Sequence, residues 1–420
     1  MLVKKERLKE VIDKAKLRID IDIAQNPELQ RAIHIVEAFL HRTQRMCYGG
    51  QAINAHLPQH EKFYDSQRSL PDYDFFTPEA QEDTEEIIED LKKNGYTEIS
   101  KRIGIHDGTI KIYVNYMPIA DITQMIPEFY NTIHKQSMVV DGIRYVDPLF
   151  LRMLMHLELS RPRGQVERWE KVYERLLILH RNYPLKACKF SDSVGNSVAK
   201  QARPAMIRYI LDNKLPYMGI DIHKIYMKPG PIKRRMSDLL KDSSPVICFS
   251  PNAIDHATKL AEITSTETRE YLGFQNILPA MIALYRNDVL AGIVVQEEAC
   301  HSIIQFQVNH SSTLYLSSLD TCITFFIGLY YRHDIDYMPK HSLLCAIKHM
   351  IDLSNRYRVK PTKLFPDFSI ECDGYQTSFA SLLRAKAARI QAERQRVSSG
   401  RYQLTRKRKL FRKSLTHRNH

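Results

Sequence analysis

Three aspartates have the type and spacing that a metal site needs. Asp72 and Asp74 flank one tyrosine in a short segment that predicts a β-strand, and Asp121 lies on a later predicted strand that could pair beside it. Residues two apart on a strand share a face and lie ~7 Å apart along the chain. Three carboxylates on one patch repel one another unless divalent cations lie between them. We therefore predict a site for Mg²⁺ or Mn²⁺, ions that prefer carboxylate oxygens and keep positions open for phosphate and water.

A glycine turn upstream offers a place for phosphate groups. In Tyr48-Gly49-Gly50-Gln51 the missing side chains let a triphosphate approach the backbone amides, and the following helix N-terminus adds positive potential. Two metal ions beside it could activate an attacking hydroxyl and neutralise a leaving pyrophosphate. Each part alone is common, and Asp334-Ile335-Asp336, which has no glycine turn upstream, is interpreted as structural. The order of glycine turn, helix, paired aspartates, hairpin and third aspartate is more specific than its parts.

A cationic stripe is predicted further along the chain. Arg168, Lys171 and Arg175 recur at helical spacing and therefore share one helix face. Near the carboxylates, this stripe could hold the β- and γ-phosphates of a nucleotide. The alternative is a surface helix whose charges form solvated pairs, such as Glu167 with Lys171.

The periodicity around these residues predicts two mixed α/β units. A helix begins at Asn26-Pro27, where asparagine can cap it and proline suits its first turn, and it ends near Met46. Asp107-Gly108 is a two-residue hairpin signal. Other predicted elements are a charged helix near the N-terminus, a strand over 73–76, a helix over 78–93, a continuous helical segment over 147–184, strands over 245–249, 289–295 and 302–308, and helices over 253–263, 319–331 and 342–357. No sequence repeat at a fixed period is evident.

Composition is that of an ordinary globular protein. The chain has 420 residues, 44% hydrophobic and 26% charged, which suits two to three domains and excludes a low-complexity chain. The longest apolar run, 314–331, is interrupted by serine, aspartate and threonine, so it predicts a buried helix and not a membrane span. The charged N-terminus has no apolar segment typical of a signal peptide. We expect a soluble intracellular protein.

The cysteines support the same expectation. There are seven, widely scattered and without a Cys-x-x-Cys pair. A disulfide framework or a zinc site would need clustered spacing. We therefore predict reduced thiols, mostly in the core, and no structural zinc.

Positive charge is concentrated at the C-terminal end. The formal net charge is +13, and residues 384–420 contain thirteen lysines and arginines against one glutamate. A polycationic tail releases counterions from a phosphate backbone, which favours a nucleic-acid partner. The alternatives are a solvated, disordered end, a nuclear import signal in the cluster from Arg406 to Lys409, and binding to an anionic membrane surface.

The order of motifs resembles the polymerase-beta-like nucleotidyltransferase superfamily. The resemblance implies that Asp72, Asp74 and Asp121 bind two metal ions and that the triphosphate lies on Tyr48, Gly49, Gly50 and Gln51. One departure is that many members have Gly-Ser, whereas Gly50 stands at the second position here. Backbone amides must then replace the contact of the serine, or that contact is absent.

A narrower resemblance is to the poly(A) polymerase catalytic subunit of large cytoplasmic DNA viruses, of the poxvirus and mimivirus type. It covers roughly residues 45–390, and Ser160-Arg161-Pro162-Arg163-Gly164 with Arg168-Trp169-Glu170-Lys171 is its most specific part. It implies an α/β (α+β) fold with a catalytic nucleotidyltransferase domain and a second, inactive one. The predicted divisions are an N-terminal helical segment (1–46), the catalytic domain with a helical extension (47–185), the second domain (186–383) and the basic tail (384–420).

The resemblance implies a template-independent polynucleotide adenylyltransferase that transfers adenylates from ATP to the 3′ end of viral mRNA. The implied partners are ATP and RNA, with no membrane, and a homodimer or a viral processivity subunit is possible. The implied location is the viral factory in the host cytoplasm, and the virion. A transferase with a different nucleotide choice, or a non-catalytic RNA-binding protein on the same fold, are the alternatives.

Overall fold

The computed structural model describes residues 2–65, 68–104, 108–189, 195–227, 237, 239–274, 277–308, 312–362, 365–378, 380–392 and 394–395. Two α/β units follow one another along the chain, and helices pack against a mixed sheet in each. The predicted α/β class is confirmed. Residues 396–420, which make up most of the predicted basic tail, lie outside the described residues.

The first unit begins with two helices and carries a seven-stranded sheet. Its helices are α1 (Leu2–Ala24), α2 (Pro27–Thr43), α3 (Gly49–His56), α4 (Ala80–Lys93), α5 (Pro127–Gln136), α6 (Pro148–Leu159) and α7 (Trp169–Asn182). Its strands are β1 (Met46–Tyr48), β2 (Tyr73–Thr77), β3 (Ile99–Ile103), β4 (Thr109–Val114), β5 (Met117–Gln124), β6 (Met138–Val140) and β7 (Ile143–Tyr145). The Asn26 side chain caps α2 by accepting from the Glu28 and Leu29 amides, as predicted.

The second unit repeats the alternation of helices and strands. Its helices are α8 (Ser197–Asp212), α9 (Ile222–Met227), α10 (Ala253–Thr264), α11 (Leu319–Tyr331) and α12 (Lys340–Val359), and residues 380–392 are also helical. Its strands are β8 (Val246–Ser250), β9 (Glu267–Tyr271), β10 (Met281–Arg286), β11 (Val289–Gln296), β12 (His301–Gln307), β13 (Thr313–Ser317) and β14 (Cys372–Asp373). The elements predicted here are confirmed to within two residues at each end, while α8, α9, β9, β10, β13, β14 and the helical segment 380–392 were not predicted.

The order of strands in the first sheet is β3-β4-β5-β2-β1-β7-β6. Strands β2 and β5 run parallel with Asp74 opposite Asp121, and β1 runs antiparallel to β2 with Tyr48 opposite Asp74. Paired residues on neighbouring strands point to the same face of a sheet. The pairing therefore brings two of the predicted aspartates together, next to the end of β1 where the glycine turn begins.

The second unit repeats the topology of the first. Its four-stranded sheet has the order β8-β11-β10-β9, which matches β2-β5-β4-β3 in the first sheet. Strand β8 runs parallel to its neighbour β11, just as β2 runs parallel to its neighbour β5. Strand β2 runs into α4 through Thr77-Pro78-Glu79-Ala80, and β8 runs into α10 through Ser250-Pro251-Asn252-Ala253. The chain therefore contains a structural duplication that no fixed period in the sequence revealed.

The same hydrogen bonds hold both of these strand-to-helix turns. Gln124 Oε1 accepts from the Ala80 amide at 2.8 Å, and Gln296 Oε1 accepts from the Ala253 amide at 3.3 Å. Each glutamine also donates to the carbonyl of the turn proline. Gln124 stands opposite Thr77 in the sheet register, just as Gln296 stands opposite Ser250. This agreement fixes the equivalence of the two units residue by residue, so that Asp74 corresponds to Ile247 and Asp121 to Ile293.

The two units meet along α6 and α11, and buried polar pairs cross the contact. The Tyr331 hydroxyl donates to the carboxylate of Asp147, which also caps α6. Asp320 on α11 accepts from His156 Nδ1 at 2.7 Å and from Arg358 Nη2 at 2.7 Å. Buried charges need such partners, so these pairs fix how the two helices meet.

One helix prediction was wrong. The segment 147–184 is not continuous: α6 ends at Leu159 and α7 begins at Trp169. Pro162 lacks an amide donor and restricts Arg161, which explains the break. Asp107 of the predicted Asp107-Gly108 turn lies outside the described residues. None of the helices in the described ranges is both long enough and apolar enough to cross a membrane.

The prediction that all seven cysteines are reduced was also wrong. Disulfides join Cys188 to Cys345 and Cys300 to Cys372, while Cys47, Cys248 and Cys322 are buried thiols. The bonded pairs are 157 and 72 residues apart in sequence, yet their Cα atoms lie 5.9 and 5.4 Å apart. Scattered spacing therefore concealed pairs that the tertiary fold brings together.

Candidate active site

The aspartates stand at the junction of β2 and β5. Asp74 and Asp121 face each other across the parallel pair, and Asp72 immediately precedes β2. Burial, followed by the charges of Asp72 and Asp121, raises the pKa of Asp74 to about 8. Desolvation and then the charge of Asp121 raise the pKa of Asp72. Asp72 and Asp74 therefore resist ionisation beside Asp121 unless positive charge is supplied.

The hydrogen bonding of Asp121 fits a cation site. Lys111 Nζ forms an ion pair with Asp121 Oδ2, while Asp121 Oδ1 is buried without a hydrogen-bond partner. A buried carboxylate oxygen without a donor is costly unless an ion satisfies it. Carboxylate oxygens are the hard donors that Mg²⁺ or Mn²⁺ would take. The residues therefore fit divalent ions.

The three aspartates are not in mutual contact. Among the described residues, Cys188, Cys345 and His349 bring three ligand atoms within 4.8 Å of one another, whereas the three aspartates do not. The two sulfurs of that group are bonded to each other. Like charges spread apart when no cation lies between them. Ion binding at Asp72, Asp74 and Asp121 would therefore draw the carboxylates closer together.

The glycine turn packs directly against the aspartates. Gly49 has φ +73°, and a Cβ atom there would lie 2.7 Å from Asp74 Oδ2. A Cβ atom on Gly50 would lie 2.6 Å from the Tyr64 hydroxyl and 3.1 Å from Arg175 Nη1. The backbone conformation of Gly49 would strain any side chain there, and a side chain on Gly50 would require Tyr64 and Arg175 to move. Tyr64 and Arg175 occupy the space that a serine would need, which explains the Gly-Gly in place of Gly-Ser.

The residues that flank the glycines have different surroundings. The Tyr48 ring stacks on Phe76 with centroids 3.9 Å apart, and its hydroxyl lies 3.1 Å from Thr123 Oγ1. Tyr48 is therefore held inward, where it orients the turn. Gln51 lies half-buried in the first turn of α3, whose N-terminus is formed by the glycines.

Tyr64 was not selected from the sequence as a site residue, whereas Arg175 belongs to the predicted cationic stripe. The Arg175 guanidinium lies over the Phe63 ring at 4.2 Å, and its Nη2 donates to the Tyr64 hydroxyl at 3.0 Å. Asn54 fixes this segment by accepting from the amides of Phe63 and Tyr64. The predicted cationic stripe did include Arg175, but the local sequence around Tyr64 carried no signal. Both depend on a contact between α7 and the loop after α3.

The other two cations of the predicted stripe, Arg168 and Lys171, lie on either side of the start of α7. Arg168 is in the turn before the helix, and its Nε lies 3.1 Å from Glu158 Oε1. Its charge lowers the pKa of Asp74, opposing the effect of burial, so it lies within electrostatic reach of the site. Lys171 is exposed in the first turn of α7. The predicted stripe is therefore interrupted, because Arg168 precedes the helix.

Comparisons with known proteins agree with this geometry. Residues 34–165 match the family model described as Poly(A) polymerase catalytic subunit. A protein of Acanthamoeba polyphaga mimivirus with a provisional name as a poly(A) polymerase catalytic subunit is 29% identical over 43% of this chain and 32% of its own length. A protein of the same provisional name from African swine fever virus is 26% identical over 38% of this chain and 34% of its own. The matches therefore span about a third of these relatives.

A solved structure matches over a larger share. The crystal structure of the Megavirus polyadenylate synthase aligns with a TM-score of 0.75 over 93% of this chain and 82% of that chain, at 19% identity. The resemblance inferred from the sequence is confirmed. The segment that holds the aspartates and the glycine turn matches the poly(A) polymerase catalytic subunits of large DNA viruses, and nearly the whole chain has the fold of a polyadenylate synthase.

Proposed function

We propose that this protein is a template-independent polyadenylate polymerase that adds adenylates from ATP to the 3′ end of viral mRNA. The observation that carries the proposal is the pairing of Asp74 with Asp121 beside the Gly49-Gly50 turn. This arrangement combines a cation site with a side-chain-free approach to backbone amides. Phosphoryl transfer needs little more from a protein than such positioning and charge balance.

The chain's own residues divide the work between binding and orientation. Gly49 and Gly50 would admit the triphosphate to the N-terminus of α3, and Arg175 would donate to its outer phosphates from the opposite wall. Asp72, Asp74 and Asp121 would hold two Mg²⁺ or Mn²⁺ ions. When bound, such ions activate the attacking hydroxyl and neutralise the leaving pyrophosphate. Tyr48 would keep the turn in register with β2 through its contact with Phe76.

The second unit would act without chemistry of its own. Ile247 and Ile293 occupy the positions that correspond to Asp74 and Asp121, so the equivalent place has no carboxylates to hold a cation. We therefore assign residues 47–185 to a catalytic domain and 186–383 to an inactive one that grips RNA. The N-terminal helical segment (1–46) and the basic tail (384–420) complete the division, and the tail would hold the growing strand through its phosphates.

Two alternatives lead to different measurements. A transferase that prefers another nucleotide would keep the aspartates and differ only in the base pocket. A non-catalytic RNA-binding protein would have no use for carboxylates whose pKa values are raised by burial and by their acidic neighbours, as those of Asp72 and Asp74 are. The raised pKa of Asp74 supports the enzyme. We further propose that the protein works in the host cytoplasm, in the viral factory, and is packaged in the virion. Light scattering on the purified protein would distinguish a homodimer from a monomer that works with a processivity subunit.

Primer extension tests the proposal. A short labelled RNA is incubated with Mg²⁺ or Mn²⁺ and each of the four nucleotides separately, and we expect a long ladder with ATP. Asp74→Asn should lower the rate by about a thousandfold or more while RNA affinity stays unchanged. Asp336→Asn, in the second Asp-x-Asp pair, is the matched control and should behave as wild type. Extension with another nucleotide would show that the protein is a nucleotidyltransferase with a different nucleotide preference. Full activity of Asp74→Asn would contradict the assignment of Asp74 to the active site.

A further inference from the structure

The geometry of in-line transfer fixes the side from which the RNA acceptor must approach. This inference rests on the proposed function. The glycine turn follows β1, which pairs with one edge of β2, while β5 pairs with the other. In an in-line displacement the attacking and leaving oxygens lie on opposite sides of the phosphorus. Pyrophosphate leaves on the β1 side, so the acceptor 3′-hydroxyl must approach from the side of β5, β4 and β3.

Two cations, Lys111 and Arg102, lie on that side within the row of the catalytic aspartates, and Lys111 is the nearer to them. The sheet register aligns Asp74 with Asp121, Asp121 with Lys111, and Lys111 with Arg102, so all four share a face. Lys111 is one strand away from Asp121, at a strand spacing of about 4.8 Å. Its side chain is 34% exposed and forms an ion pair with Asp121. The opposite face of β4 belongs to the core, where Ile112 is fully buried.

Comparing this row with the equivalent row of the second unit shows which of its residues are found only beside the catalytic aspartates. In the second unit the corresponding row is Ile247, Ile293, Ala283 and Arg269. Arg269 lies 4.4 Å over the ring of Tyr285, and Arg102 lies 4.4 Å over the ring of Tyr113 at the equivalent place. The arginine–tyrosine pair is therefore kept by both sheets. Only the two aspartates and the lysine are replaced, and all three by apolar residues.

We propose that Lys111 binds the 3′-terminal phosphodiester of the RNA acceptor and so positions the attacking hydroxyl. Cations on Asp121 would compete with the ammonium group for the carboxylate, which frees the lysine to reach a phosphate one strand away. A lysine is suited to this contact because its ammonium is a point charge on a flexible stem. The competing explanation is that Lys111 only balances the charge of Asp121 before the ions bind.

Steady-state kinetics separate these explanations. Lys111→Met should raise the KM for the RNA primer about tenfold or more, while the KM for ATP and the Mg²⁺ concentration for half-maximal rate change by less than about twofold. Lys111→Arg should restore most of the primer affinity, because it restores a cation at this position. The unchanged KM for ATP shows that Lys111→Met is folded. Lys93→Met, which replaces an exposed lysine of α4 that pairs with Asp90, is the matched control and should leave both KM values unchanged.

Two binding measurements do not depend on turnover. An acceptor with 4-thiouridine at its 3′ end should photo-cross-link to the peptide that contains β4. Removing one phosphate contact should also lower the slope of log affinity against log salt by about 0.7. A changed metal requirement with an unchanged primer KM, together with cross-links elsewhere, would overturn the role of Lys111. Absence of any transfer by the wild type would instead reject the proposed function.

Discussion

Asp74 determines the charge balance of the candidate site. Burial and its two acidic neighbours raise the pKa of Asp74 to about 8. Lys111 and Arg168 compensate only in part. At the residue scale, the site is therefore prepared for cations and for a highly charged substrate. Arg175 supplies positive charge at the opposite wall of the glycine turn.

Replacing Arg175 tests the position of the triphosphate. Arg175→Gln should raise the KM for ATP about tenfold, because a donor to the outer phosphates is lost next to Gly50. The KM for the RNA primer should stay unchanged. Arg181→Gln, on the same helix but paired with Glu61, is the matched control. Equal ATP affinity in the two variants would show that Arg175 only packs against Phe63 and Tyr64.

At the element scale, the contact between α6 and α11 depends on one buried carboxylate. Burial alone would raise the pKa of Asp320, but the charge of Arg358 and the hydrogen bond from His156 outweigh it and lower this pKa to about 2. A carboxyl group with a lowered folded pKa stabilises the protein above its ordinary value of 3.8, and this contribution is lost as the pH falls towards 2. Burial also lowers the pKa of His156, which adds to acid sensitivity.

Asp320→Asn should lower the free energy of unfolding at neutral pH by about 3 kcal/mol, because Arg358 is left buried without its anion. The difference should shrink as the pH falls below about 4 and disappear below about pH 2, since the wild-type carboxyl is protonated only as the pH falls through its folded pKa of about 2. Urea unfolding at several pH values measures both effects. A difference that persists undiminished below pH 2 would show that packing, and not charge, stabilises the contact.

The duplicated strand-to-helix turns offer a second test at this scale. Gln124→Ala and Gln296→Ala should each cost about 1–2 kcal/mol, because each leaves a helix-end amide and a proline carbonyl with one partner fewer. Gln296→Ala should leave nucleotide transfer unchanged, as its unit has no catalytic carboxylates at the equivalent positions. Unfolding and primer extension on both variants check this. Unequal costs would mean that the two turns differ in strength despite their shared hydrogen bonds.

At the scale of the whole molecule, two disulfides connect distant segments. Cys188 follows the first unit and is bonded to α12 of the second, and Cys300 at the start of β12 is bonded to β14. These links close 157 and 72 residues of sequence. Cross-links over such loops typically contribute about 2–4 kcal/mol. They tie the connecting segment and the C-terminal region to the body of the second unit.

Reduction should therefore lower the melting temperature. Peptide mapping under non-reducing conditions should recover Cys188 with Cys345 and Cys300 with Cys372, and Cys47 as a free thiol. Cys300→Ser should remove only the second link, and Cys47→Ala provides a control in a buried cysteine that forms no bond. Peptide maps that show seven thiols in the protein as isolated would contradict the disulfides.

Local patterns in the sequence determined much of the secondary structure and the chemistry. Amphipathic spacing and the Asn26 cap defined α2, and alternation defined β2 with Asp72 and Asp74 at its start. The glycine turn and the third aspartate were recognisable because each acts through a short segment. These signals depend on a few neighbouring residues, so they can be read without knowing what packs against them.

The tertiary structure decided what depends on contacts between distant segments. Strand pairing set Asp74 opposite Asp121 and aligned Lys111 beside them. Packing of α7 on the loop after α3 put Arg175 against Gly50, and folding brought the four bonded cysteines together. No fixed period in the sequence revealed the duplication, which only the family resemblance implied, because the units share a strand order and only a few turn residues. Sheet register and disulfide pairing are properties of long-range contact, and no local pattern encodes them.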